Sequence, residues 1–269
     1  MTFAEAAHNL TAPPFELSAS PLVYLHPAMK VIVIIPAAGL GTRMAPVAGK
    51  HKNSPPSKQF TELGGTPILI HTLRRFASVA AVTEIWIALR ENELTAFRAR
   101  LEREAKDLQR KKIELVVGGE HRQQSVHNAL NALTAAPDDI VLVHDAVRPF
   151  VTEEIVNEVI ESAKKYGAAI AGLPAVDTVK QVERTADGAL IKATIPRAGI
   201  VMAQTPQGFR YSIIKKAFDE AAADGFLGTD EASLVERSGH DVAVVMGSPR
   251  NIKITAPPDM ELAEFYLGK

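Results

Sequence analysis

The chain is 269 residues long and 46% hydrophobic, enough for a sizeable core and far from the composition of disordered proteins. Its 30 basic and 31 acidic side chains leave a formal net charge of −1, which argues against a nucleic-acid binder held by a large positive field. There is no cysteine, so disulfides, thiolate catalysis and cysteine-based zinc sites are excluded.

Residues 1–29 contain no Lys or Arg and carry Glu5 and Glu16, unlike a secretory signal or an Arg-rich presequence. They read as a poorly ordered extension or a mis-assigned start, with Met29 as the alternative start. A single domain is expected over residues 30–269. The longest apolar run, near 31–40, is too short to span a bilayer, and the expected location is the cytoplasm.

Residues 31–35 form a continuous β-branched run, the pattern of a strand buried on both faces of a parallel sheet. A glycine-containing loop follows at 36–44, then a polar, proline-rich stretch at 45–57 that should be a mobile loop. Pro67 opens a helix to about Ser78. A strand is expected at 84–89, a charged helix at 91–110, and a strand at 113–117 ending in Gly118-Gly119. A helix at 121–133, a strand at 140–144 and a helix at 152–166 with Thr152 as N-cap come next. Alternating strands and helices imply an α/β, doubly wound, mostly parallel sheet with right-handed crossovers, a Rossmann-like architecture.

The rhythm breaks at 176–197, where period-2 alternation surrounds the turn signal Asp187-Gly188. An inserted β-hairpin with little core of its own should pack on something else, and a dimer partner is the natural candidate. A strand at 200–204, helices at 211–224 and 230–238, strands at 242–246 and 251–255 and a helix at 258–267 complete the chain.

Four segments and one scattered group carry candidate chemistry. In open α/β sheets ligands bind beyond the carboxyl ends of the strands. In PAAGLGTRM (36–44) the small residues Ala37, Ala38, Gly39 and Gly41 let backbone N–H groups approach a phosphate chain, and Arg43 adds a planar cationic fork. Met44 stands where a dinucleotide fingerprint needs Gly or Ala, and Gly49-Lys50 is followed by His51, so neither that fingerprint nor a P-loop is present. The bland alternative is an ordinary strand-to-helix turn. Lys58, in SKQF, converges with Arg43 if the proline-rich loop folds back; otherwise it is a solvated surface charge. GGEHRQQSV (118–126) offers backbone groups, Arg122 and Ser125 to a base or ribose, or is a routine turn with a helix cap. In VLVHDAVRPF (141–150) Asp145 ends a buried strand, where a carboxylate must be hydrated, paired or metal-bound. Mg²⁺ held by one carboxylate and substrate phosphates is the preferred reading, an Asp145–Arg148 ion pair the alternative. His144 reads as a packed core residue. Asp177-Thr178, Arg197, Gln204-Thr205, Thr229-Asp230 and Lys253 share positions at strand ends or on the hairpin.

Taken in order, PAAGLGTRM, KQF, GGEHRQQSV, VHDAVRPF, DTVK, IPRAGIVMAQTPQGF, TDEASLVE and NIKIT resemble the 2-C-methyl-D-erythritol 4-phosphate cytidylyltransferases of non-mevalonate isoprenoid biosynthesis, from about Lys30 to Lys269. The resemblance implies a reaction of CTP with methylerythritol phosphate to give the CDP-alcohol and pyrophosphate, with Mg²⁺, in a homodimer clasped by its hairpin arms. It implies that Arg43 and Lys58 stabilise the transition state and that Arg197 and Lys253 position the substrate. Ala37, Ala38, Gly39, Gly119, Glu120 and Ser125 fall on nucleotide contacts, Asp145 on the metal-associated aspartate, and Thr178 and Thr229 on contacts to the alcohol. The stretch between Arg43 and Lys58 is longer than the family usually has. Relatives acting on alditol phosphates such as ribitol 5-phosphate share HDxxRP and QTPQ but tend to carry a Gly-Gly loop and THDS. A non-catalytic nucleotide-binding protein on the same fold is the reading from another class. The retained Arg43, Lys58, Asp145, Arg197 and Lys253 weigh against it.

Overall fold

The computed structural model describes residues 29–39 and 58–268. The N-terminal segment 1–28, Arg43 and the loop 45–57 lie outside the described residues, as do the expectations attached to them.

The chain begins with β1 (Val31–Pro36), whose side chains split between two cores. Val31, Val33 and Ile35 join one buried cluster; Ile32 and Ile34 join the cluster on the opposite face. This is why the run shows no alternation: both faces of a central parallel strand are covered. A short 3-10 turn at Lys58–Phe60 and the small ribbon β2 (Glu62–Leu63) with β3 (Thr66–Pro67) lead into α1 (Ile68–Ser78). Then come β4 (Glu84–Leu89), α2 (Glu91–Glu104), β5 (Lys112–Val117), α3 (Arg122–Ala132), β6 (Ile140–Val143) and α4 (Glu153–Tyr166). The expected helix 91–110 breaks at Ala105, whose non-helical backbone (φ −130°, ψ 42°) separates α2 from a 3-10 turn at Lys106–Arg110.

Helix α4 shows how local chemistry sets an element. Thr152 caps it by accepting from the Ile155 amide at 3.4 Å, Glu153 and Glu154 sit at its positive end, and Gly167 ends it at φ 90°. Ile155, Val156, Val159, Ile160 and Ala163 form its buried face. Full burial of each large member is worth about 1.5–3 kcal/mol before entropy is deducted.

The next strand, β7 (Ala168–Pro174, AAIAGLP), has no counterpart in the sequence reading. Small residues give it little β-propensity, and its placement comes from burial rather than pattern. The arm follows as β8 (Val179–Thr185) and β9 (Gly188–Ile195), paired antiparallel. Thr185 pairs with Gly188, so the turn falls on Ala186 and Asp187, one residue earlier than the Asp-Gly signal suggests.

Strand β10 (Val201–Arg210), helices α5 (Tyr211–Ala223) and α6 (Glu231–Arg237), β11 (Ala243–Met246) and α7 (Pro257–Leu267) complete the fold. The seven-stranded sheet runs β11-β7-β10-β6-β1-β4-β5. Within it only β10 is antiparallel to its neighbours; every other pair is parallel.

The expected strand at 251–255 is not one. This segment is an extended strap outside the sheet, tied at separate points instead of along a ladder. The Asn251 side-chain amide donates to the Thr205 carbonyl at 2.8 Å, and the Ile254 backbone amide to the Val147 carbonyl at 3.0 Å. Ile254 is buried in a third core with Leu63, Ile68, Val147, Phe150 and Ala263. Its apolar, β-branched residues serve that anchoring, and Lys253 is carried between the two ties.

Candidate active site

A cleft of about 170 Å³ opens where β1, β5 and β6 end. Its walls are the segments 36–39, 119–125 and 145–147, with Lys58, Gln59 and Lys253 brought in from outside the sheet.

The first wall is held from behind. Arg90 Nε donates to the Ala38 carbonyl at 3.0 Å, and the buried Gln59 amide donates to the Ala37 carbonyl at 2.5 Å. The latter bond ties Lys58 to the loop after β1, while Phe60 packs on Phe97 with ring centroids 5.6 Å apart. The second wall needs Gly118. A Cβ there would stand 2.4 Å from Ala38 Cβ, so only glycine lets the two loops approach this closely. Ser125 shapes the wall by accepting from the Gly119 amide at 3.0 Å and donating to the His121 carbonyl at 3.1 Å. The Glu120 amide is engaged by Gln124 at 3.0 Å.

Asp145 is the electrostatic centre. Its Oδ1 pairs with Arg122 Nε at 3.2 Å, and its Oδ2 with Arg148 Nε at 3.2 Å and Lys253 Nζ at 2.9 Å. Burial alone would raise its pKa, but the fields of Arg122, Lys253 and Arg148 outweigh burial and hold the carboxyl far below its ordinary range. The Asp145–Arg148 ion pair weighed in the sequence is therefore present, as one of three. Arg122 also reaches Glu231, Nη1 to Oε1 at 2.5 Å. Burial opposes the Arg122 charge, yet the two carboxylates raise its pKa overall. His144 is fully buried, bonds Thr205 Oγ1 and the Arg148 carbonyl (both 3.1 Å), and meets the Phe76 ring edge-on. Burial pushes its pKa down to about 4, so it is a neutral core residue, as its sequence position suggested.

Of the residues anticipated from the sequence, Ala37, Ala38, Gly39, Lys58, Gly119, Glu120, Ser125, Asp145 and Lys253 share this cleft. Thr178, Arg197 and Thr229 do not line it within one chain. Thr178 and Arg197 are exposed at the root of the arm, where the Arg197 guanidinium bonds the Val176 carbonyl. Thr229 is exposed in the loop before α6. Sequence reasoning passed over the Arg122 side chain as a charge partner, and gave Gln59 and Glu231 no role of their own beyond membership of the KQF and TDEASLVE segments. A carboxylate directly after the N-cap Asp230 was the available signal for Glu231, but a first-turn acid is ordinarily explained by the helix dipole.

A doubly wound sheet with a small-residue loop after its first strand, and lysine and arginine cations gathered at its carboxyl edge, defines an α/β nucleotidyltransferase. The family model for 2-C-methyl-D-erythritol 4-phosphate cytidylyltransferase matches residues 31–269. The chain belongs to this family, whose reaction transfers CMP from CTP to 2-C-methyl-D-erythritol 4-phosphate. It is 59% identical over 240 residues to the cytidylyltransferase of that name from Acidobacterium capsulatum, covering 89% of this chain and 98% of the relative. The Solibacter usitatus relative of the same name is 51% identical over 240 residues, covering 89% and 96%. Among solved structures, the Thermus thermophilus enzyme superimposes with a TM-score of 0.69 at 32% identity, over 90% of this chain and all of that one. The Francisella tularensis enzyme gives 0.71 at 35%, over 88% and 99%.

Proposed function

We propose that CTP lies in this cleft with its triphosphate along residues 36–39, Lys58 and Arg43, and its nucleoside against Gly119, Glu120 and Ser125. The observation that carries the reading is the convergence of Lys58, Arg122 and Lys253 on a narrow cleft walled by small residues. The nucleophile is the phosphate monoester of methylerythritol phosphate, largely dianionic at pH 7 because its second pKa is about 6. It needs no general base. One of its oxygens forms the new bond to the α-phosphorus as the bond to the β-phosphate oxygen breaks and pyrophosphate leaves. The work of the protein is to bring two anions together and stabilise charge at the α-phosphorus. Arg43 and Lys58 act on that charge; Lys253 and Arg197, with Thr178 and Thr229, place the attacking ester.

Asp145 is the residue that would hold Mg²⁺. It is an ionised oxygen donor, and no cluster of three His, Asp or Glu side chains occurs among the described residues. That donor chemistry fits a hard divalent cation such as Mg²⁺, which Asp145 would hold beside Lys253 and Arg122. Bound there, the ion would supply charge neutralisation for the triphosphate and the departing pyrophosphate.

The arm exposes Val176, Val182, Leu190 and Ile191. Exposed apolar residues on both faces of the arm support a homodimer in which the arm of one copy covers the other and brings Arg197 and Thr178 to the partner's cleft. No described helix is long and apolar enough to cross a membrane. A pyrophosphate-release assay with CTP, Mg²⁺ and each alcohol phosphate tests the reading. Turnover is expected with methylerythritol phosphate; turnover of ribitol 5-phosphate alone would reject it.

A further inference from the structure

Glu231 is an unusual carboxylate. It is the first residue of α6, only 1% exposed, and does not line the cleft. Its Oε1 accepts from Arg122 Nη1, while its Oε2 is buried without a hydrogen-bond partner. Burying a carboxylate costs several kcal/mol unless it is well paired, and an apolar side chain would fill the space at less cost. The backbone around it is firmly placed: Gln207, on β10, donates to Asp230 Oδ2 at 2.8 Å and accepts from the Ala232 amide at 3.0 Å. What Glu231 does in this position is divide Arg122. With Glu231 present, Arg122 gives Asp145 only its Nε, and its side chain stays on the cleft wall beside Glu120 and His121. Asp145 and Glu231 thus hold the one guanidinium from two sides.

We propose that Glu231 is a positioning residue that holds Arg122 open toward the nucleotide, and so couples the element following Thr229 to the loop that contacts CTP. The inference rests on CTP occupying this cleft. It predicts a remote effect: a residue two positions from a contact to the alcohol should govern affinity for the nucleotide.

The experiment measures the Kd for CTP with Mg²⁺ by titration calorimetry, and the KM for each substrate, in Glu231→Gln, Arg122→Ala and the double variant, with thermal melts to establish the folded fraction. Glu231→Gln keeps the volume and replaces a carboxyl, whose pKa burial raises while the Arg122 guanidinium pulls it down, with an amide that cannot ionise. It should raise the Kd for CTP by about tenfold, as should Arg122→Ala, with the double variant within about twofold of Arg122→Ala alone. The KM for methylerythritol phosphate should change little. Additive effects, or a rise confined to the KM for the alcohol phosphate, would overturn the proposal. Unchanged CTP affinity in Arg122→Ala would overturn it too, since Glu231 would then have nothing to act through; a loss of CTP binding in Lys58→Ala in that case would show the cleft reading still standing. If Glu231→Gln does not fold, Glu231→Asp, which keeps the carboxyl but shortens its reach, should show the same selective loss of CTP affinity, and unaltered affinity there would count against the proposal equally.

Discussion

Replacing Asp145 with Asn removes one charge while keeping the shape of the side chain, and its surroundings set the size of the effect. Three cations lie 2.9–3.2 Å from this carboxylate. Removing one partner of a buried ion pair typically costs about 3–5 kcal/mol. Here the low end applies. Arg148 keeps the Asn251 carbonyl at 2.7 Å, Arg122 keeps Glu231, and the Lys253 side chain is 39% exposed and can turn to water. A loss of about 3 kcal/mol in a domain of this size lowers Tm by roughly 6–12 °C. The pH dependence carries a sign. The folded-state pKa of Asp145 is depressed, so its stabilisation is complete above the unfolded value of about 3.9 and is lost as pH falls below it. The gap between wild type and Asp145→Asn should therefore be flat from pH 5 to 8 and narrow below about pH 4. Calorimetric melts across that range test this. A gap under about 2 °C at pH 7, or one that varies between pH 5 and 8, would refute the picture of a fully ionised, triply paired carboxylate.

His144 should act in a higher pH window. Its pKa is lowered to about 4 by burial, so the unfolded chain takes up its proton first and stability falls with pH from about 6.5 toward 4. Between pH 6.5 and 5 wild type should lose about 1.6 kcal/mol more than His144→Gln in urea unfolding; equal losses would mean the ring titrates normally. Charging the arm with Leu190→Lys and Ile191→Lys should give a monomer in sedimentation velocity, while an unchanged mass would place the contact elsewhere. Verified heterodimers of Arg197→Ala and Lys58→Ala subunits should recover part of the activity, because one of the two shared sites is intact, and no recovery would argue that each chain completes its own site.

Elements were legible in the sequence wherever local chemistry dominates. Strand β1 announces itself through unbroken β-branched residues, and α4 through a Thr cap and two first-turn acids. The cleft walls were readable because small residues just past the end of a buried strand leave room for a ligand beyond the carboxyl edge of the sheet. Strand β7 was not, since its alanines and glycine are strand-like only once helices cover them. The strap at 251–255 shows the converse: β-branched residues predict a strand, while Asn251 and Ile254 tie the chain to Thr205 and Val147 without a ladder. Asp145 could be placed at a strand end, but its three cations come from α3, the turn after β6 and the strap. That convergence depends on tertiary structure, and so does the link from Arg122 to Glu231, 109 residues away.

In the proposed function the cations at this cleft act on the reacting phosphorus, beyond gripping an anion. Steady-state pyrophosphate release by Lys58→Ala tests that role most directly. If Lys58 stabilises charge that develops only in the transition state, kcat falls by on the order of 10²-fold or more. A rise in KM for CTP with kcat unchanged would contradict it, reducing Lys58 to ground-state binding.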